Sequence, residues 1–166
     1  MSKGTLVFAV VLALSCAARV EAQDRSPAPV VEFAAGTLNF PDEGVVTEGF
    51  VAGSARFYVS PRISLGPELS YVSGDRHNHL ILTGNVTVDL LGPRARVTPF
   101  VVAGGGLYRT SEQFPFENFT HTEASFTAGG GVKAFVGERV TVGAEARIGW
   151  ELHVRVNGLV GIRLGR

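Results

Sequence analysis

Over residues 140–152 the chain reads VTVGAEARIGWEL, and every second residue is apolar: Val140, Val142, Ala144, Ala146, Ile148, Trp150 and Leu152. Thr141, Gly143, Glu145, Arg147, Gly149 and Glu151 stand between them. A period of two puts successive side chains on opposite faces of a β-strand. The pattern resumes over residues 154–164, with Val154, Val156, Val160 and Ile162 on one face and Arg155, Asn157, Gly161 and Arg163 on the other. Upstream, alternation predicts strands at about residues 30–40, 45–59, 62–72, 79–90, 97–109 and 123–136. Turn signals part them, among them Pro41-Asp42-Glu43-Gly44, Ser60-Pro61 and Gly92-Pro93-Arg94. The fifth strand alternates less clearly and carries Gly104-Gly105-Gly106. Residues 110–122 read as the longest connection, with Phe114, Phe116 and Phe119 set among polar residues.

These strands exceed the roughly 5–6 residues usual in soluble sheets and reach the roughly 9–11 needed to cross a bilayer at a tilt. One face is apolar, and the other mixes Gly, Ser and Thr with charges in mid-strand. That combination is the pattern of a membrane-spanning barrel. The expected fold is all-β, an antiparallel up-and-down transmembrane β-barrel of about eight strands over residues 30–166, closed so that no strand edge is left unpaired. Short and long connections alternate, which puts the N-terminus on the periplasmic side and the odd-numbered connections outside. Tyr71, Tyr108 and Trp150 are then expected at the outer membrane interface, and Phe57, Phe100 and Phe135 near the opposite rim.

The start of the chain adds an address. Lys3, the apolar run from Leu6 to Ala18 and the small-residue site Val20-Glu21-Ala22 read as a secretory signal peptide over residues 1–22. Residues 23–29 read as a periplasmic tether. The one cysteine, Cys16, lies in the leader, within a stretch that only faintly matches a lipoprotein box. The exported chain therefore has neither a disulfide nor a thiol nucleophile. Formal charge is balanced, so nothing argues for a nucleic-acid partner.

Residues 99–106 (PFVVAGGG), 143–147 (GAEAR) and 160–164 (VGIRL) carry a resemblance. Through them the chain resembles the small outer-membrane β-barrel family of the OmpA and OmpX kind. The resemblance implies a monomer in the outer membrane, in contact with its lipid and handled during export by periplasmic chaperones and the barrel-assembly machinery. It implies neither enzymatic activity nor a cofactor. Such barrels usually end in an aromatic residue, whereas this sequence ends Leu164-Gly165-Arg166.

The polar face holds the candidate chemistry. Arg56, Glu68, Lys133, Glu145 and Arg147 fall on it, and an eight-stranded barrel is only wide enough for side chains to fill. Unpaired charges there would be costly, so an ion-pair network is expected, with Glu145 reaching Arg56 or Lys133 across the lumen and Arg147 reaching Glu68. A gated pore or proton path is the functional counterpart of this structural plug. His77 and His79 share a strand face, and His121 and His153 fall near outer strand ends, but this spacing supplies at most half a metal site. Ser125, His121 and Glu123 contain the elements of a lipid-modifying hydrolase without a nucleophile motif around the serine. Gly104-Gly105-Gly106 and Gly129-Gly130-Gly131 lie within strands and are not phosphate loops. The sequons Asn85-Val86-Thr87 and Asn118-Phe119-Thr120 are short enough to occur by chance. An alternative remains: a soluble secreted barrel of the lipocalin kind, binding a small apolar ligand, in which the two faces are exchanged.

Overall fold

Eight strands form in sequence order: β1 (Val30–Phe40), β2 (Val46–Tyr58), β3 (Ile63–Ser73), β4 (His77–Asp89), β5 (Val97–Gln113), β6 (Asn118–Val136), β7 (Val140–Gly149) and β8 (Val154–Arg163). The structure is a computed structural model that describes residues 27–40, 46–74, 77–92, 95–113, 118–150 and 153–165. The leader at residues 1–22, Cys16 and most of the tether lie outside the described residues. Each strand pairs antiparallel with its neighbours in sequence, and β8 closes on β1.

The pairing is staggered. Val30, at the start of β1, lies beside Arg56, and Gly66 lies beside Asn85. Asn85 lies beside Gly104, Gly104 beside Thr127, and Thr127 beside Gly149, the last residue of β7. A walk across the ladder thus climbs from one end of the barrel to the other, which is the strand tilt that closure requires.

The alternation sorts the faces. Val51, Leu69, Leu82, Val86, Phe126 and Ile148 stand exposed on the outside. Glu68, Asn85, Thr87, Lys133, Glu145 and Arg147 are buried inside. A soluble ligand-binding barrel needs the reverse, apolar residues within and charged residues without. The observed faces overturn that alternative.

Strand limits differ from expectation by more than two residues in two places. The connection expected over residues 110–122 is largely paired strand: Arg109 faces Thr122, Thr110 faces His121 and Gln113 faces Asn118. Only residues 114–117, which include Phe114 and Phe116, fall outside the described residues. Beyond the bilayer both faces of a ribbon meet water, so the period of two fades although the backbone stays paired. The odd-numbered connections are consequently no longer than the even ones. β7 stops at Gly149, before the expected end at Leu152, which lies outside the described residues.

Glycine allows close approach on the inner wall. A Cβ on Gly131 would lie 2.2 Å from the Ala144 carbonyl oxygen and 2.8 Å from the Phe100 ring, whereas one on outward Gly53 would meet nothing within 4 Å. Gly131→Ala should therefore cost about 1–3 kcal/mol through backbone displacement. Gly53→Ala should be nearly neutral. Urea unfolding of the two variants from lipid vesicles checks this, and equal stability would contradict the packing described.

Candidate functional site

Midway along the lumen, two carboxylates and two guanidiniums interlock. Arg147 on β7 donates from Nη2 to Glu68 Oε2 on β3 at 2.9 Å. Arg155 on β8 donates from Nη1 to Glu68 Oε1 at 2.5 Å. Glu145 accepts from Arg147 Nε at 2.7 Å and Nη2 at 2.9 Å, and from Arg155 Nη2 at 3.0 Å. Asn85 and Ser70 add bonds to Glu68 at 3.2 Å each. The register makes the quartet necessary. Arg147 and Arg155 are direct partners across β7 and β8, and like charges so placed repel unless anions bridge them.

Toward the end that carries the termini lies a second layer. Arg56 pairs with Glu32 at 2.6 Å. Lys133 donates to both oxygens of Asp89, at 2.7 and 2.9 Å, and to the Tyr58 hydroxyl at 3.1 Å. The Phe100 ring lies between these two pairs, 4.9 Å from the Arg56 guanidinium carbon and 5.7 Å from Lys133 Nζ. Toward the other end an apolar layer of Leu38, Phe50, Ala52, Val72 and Ile81 crosses the lumen. Above it His79 stacks on Tyr108 at 5.0 Å and lies 3.8 Å from Glu48.

The five charged residues singled out from sequence all face the lumen, but they do not all meet. Arg147 reaches Glu68. Glu145 does not reach Arg56 or Lys133; its partners are Arg147 and Arg155, while Arg56 and Lys133 are held by Glu32 and Asp89. The cause is the stagger, which sets Arg56 and Lys133 closer to the terminal end than Glu145.

Two aromatic expectations change as well, Phe100 and Tyr108, while Phe135 keeps its place near the rim but turns inward. Tyr71, Trp150 and Phe57 point outward, and Trp150 packs against Phe126 with centroids 5.6 Å apart. Phe100 is only 2% exposed and fills the lumen. Tyr108 lies over His79 inside, and Phe135 lies under Arg163, 4.9 Å away, at the inner rim. In β5 both faces are apolar, so ring chemistry did not reveal which side Phe100 and Tyr108 occupy.

The hydrolase set does not assemble. His121, largely exposed on the outer part of β6, bonds Glu123 at 2.6 Å, whereas Ser125 is buried. Four residues of strand separate His121 from Ser125 by about 13 Å. His79 Nδ1 bonds Thr110 Oγ1 at 3.1 Å, and His153 Nδ1 donates to the Trp150 carbonyl oxygen at 2.7 Å. The side chain of His77 lies outside the described residues. Among the described residues no group of three or more His, Cys, Asp or Glu could hold a metal ion.

No family model matches the chain, and no curated protein matches it. Solved structures do. The N-terminal β-barrel domain of Pseudomonas aeruginosa OprF matches with a TM-score of 0.70 at 13% identity, covering 84% of this chain and 100% of that one. Neisserial surface protein A matches at 0.72 and 15% identity, covering 84% and 98%. Ail, the attachment invasion locus protein of Yersinia pestis, matches at 0.59 and 8% identity, covering 84% and 99%. The fold is that of the small eight-stranded outer-membrane barrels.

Within this barrel, sequence reasoning missed Arg155 and Asp89 as members of the charged set. Both stood on the polar face of their strands. Arg155 is the second residue of β8 and Asp89 the last of β4, so counting inward from turns set them at the ends. Tilt carries Arg155 to the level of Glu68.

Proposed function

We propose that the chain is a non-enzymatic outer-membrane barrel whose lumen is closed by ion-paired side chains and whose external end serves structural or interaction roles. The observation that carries this reading is the bridge from Glu68 to both Arg147 and Arg155, which spans the lumen from β3 to β7 and β8. Voids beside it among the described residues are water-sized. One lined by Arg56, Glu68, Asn85 and Arg147 has a volume of about 10 Å³. The exposed apolar wall supports insertion in lipid, since an uncovered surface of this extent would drive a soluble monomer to aggregate. The signal-like residues 1–22 support export, with chaperones and the barrel-assembly machinery as partners on the way and a monomer as the end state. The long β5–β6 ribbon, 17 and 19 residues, runs out at the end opposite the termini and supports placing that end outside and the N-terminus at the periplasm.

The test is electrical. The folded protein in a planar bilayer should give no stable large single-channel currents at moderate voltage, because ions would have to displace a neutral, mutually bonded quartet. Long-lived open levels in the wild-type protein would overturn the closed lumen. Recovery of the mature chain in soluble periplasmic fractions, without need of detergent, would overturn the membrane assignment itself.

A further inference from the structure

We infer that the terminal end of the barrel carries a binding site for the phosphate of an anionic phospholipid of the inner leaflet, formed by Arg96, Arg139 and Arg163 around the β6–β7 turn. This rests on the outer-membrane reading above. The Phe135 amide donates to the Arg96 carbonyl at 2.9 Å, and the Arg163 amide donates to the Arg139 carbonyl at 2.8 Å. The two bonds bring three arginines to one hairpin. Gly137, at φ 77°, makes the tight reversal between β6 and β7.

The cations are available. Arg96 and Arg139 are exposed. Arg163 is held by its stacking on Phe135, and its Nε is buried with no hydrogen-bond partner. Among the described residues none of the three has an ion-pair partner. The nearby acids offer little neutralisation: Asp89 is engaged at both oxygens by Lys133, Glu32 is paired with Arg56, and Glu138 is the one carboxylate of the turn itself.

The surroundings select a lipid. Val97, Val136, Ile162 and Leu164 stand exposed on the outer wall at the same strand ends as the arginines. A phospholipid can lay its acyl chains along these residues while its phosphate meets the guanidiniums, which suit phosphate oxygens by their planar fork of donors. A soluble phosphate would use the cations and leave the apolar wall idle.

The test measures spin-labelled phosphatidylglycerol against spin-labelled phosphatidylcholine at the boundary of the full barrel refolded in phosphatidylcholine vesicles. Near an anionic surface each arginine contributes enough for roughly a fivefold preference, so the wild type should favour phosphatidylglycerol by about fivefold or more. Arg96→Gln/Arg139→Gln/Arg163→Gln should abolish the preference. Arg139→Gln alone, in an exposed turn and therefore safe for folding, should reduce it. Arg109→Gln, exposed at the opposite end, should leave it unchanged. A folded wild type without preference, or an equal loss on Arg109→Gln, would overturn the site while leaving the membrane reading standing. Displacement of the label by millimolar inorganic phosphate would reassign the site to a soluble phosphate and overturn the lipid. Failure of the wild type to fold into any vesicle would overturn both readings.

Discussion

Glu68→Gln should destabilise the barrel by about 3–5 kcal/mol, the usual cost of removing one partner from a buried charge cluster. Glu68 accepts from Arg147, Arg155, Asn85 and Ser70, so no oxygen of its carboxylate is idle. The amide loses the charge and turns one acceptor into a donor aimed at guanidinium donors. Arg147 and Arg155, opposed across the β7–β8 ladder, would then share Glu145 alone. Two positive charges facing one negative in a water-poor lumen is the unfavourable arrangement that the quartet avoids. Urea unfolding from vesicles gives the comparison. Glu123→Gln, whose partner His121 is largely exposed, should change stability by less than about 1 kcal/mol. A double-mutant cycle between Glu68 and Arg147 should return a coupling of at least about 1 kcal/mol. A Glu68→Gln barrel that unfolds at the wild-type midpoint would mean that the lumen charges are solvated, and the closed lumen would fall with them.

The faces of the strands were legible in the sequence because burial acts on single residues with a period of two. Glu68, Lys133, Glu145 and Arg147 could be placed inside without knowing any partner. Partners were not legible, because pairing depends on height along the barrel axis, and height depends on the stagger. Counting from turns treats every strand as upright, which put Arg155 at a rim and sent Glu145 toward Arg56. In the tilted barrel Arg155 lies beside Glu145, and Arg56 lies beside Glu32. Aromatic residues misled for a different reason. A ring serves a membrane interface and a narrow lumen equally well, so Phe100 and Tyr108 needed a strand with one polar face to be assigned, and β5 has none. The apolar layer of Leu38, Phe50, Val72 and Ile81 was missed because each interrupts the polar side of its strand with a residue that looks like lipid-facing wall. Only closure of the barrel brings them together.

Val86→Arg should cost about 2–4 kcal/mol, the range for a cation on the lipid side near the bilayer midplane. Val86 is exposed on the outer wall between Leu65 of β3 and Ala103 of β5, so an arginine there finds aliphatic neighbours and no carboxylate. Its depth follows from the residue before it: Asn85 donates to Glu68, which sets this part of β4 level with the central quartet. Ile148, 62% exposed, follows Arg147 of the same quartet, and Ile148→Arg should behave alike. An arginine at either place can lower its cost only by snorkelling along the wall toward an interface, which trades charge burial for strain and local thinning of the bilayer. Thr87, the next residue on β4, points inward and is buried. Thr87→Val keeps its volume and strands no partner, so its cost should stay below about 1 kcal/mol. The three variants, folded into vesicles and unfolded in urea, should separate into two costly changes and one mild one. If all three are tolerated equally, the outer wall does not face hydrocarbon, and the alternation that defines the barrel would need a different solvent on its apolar side.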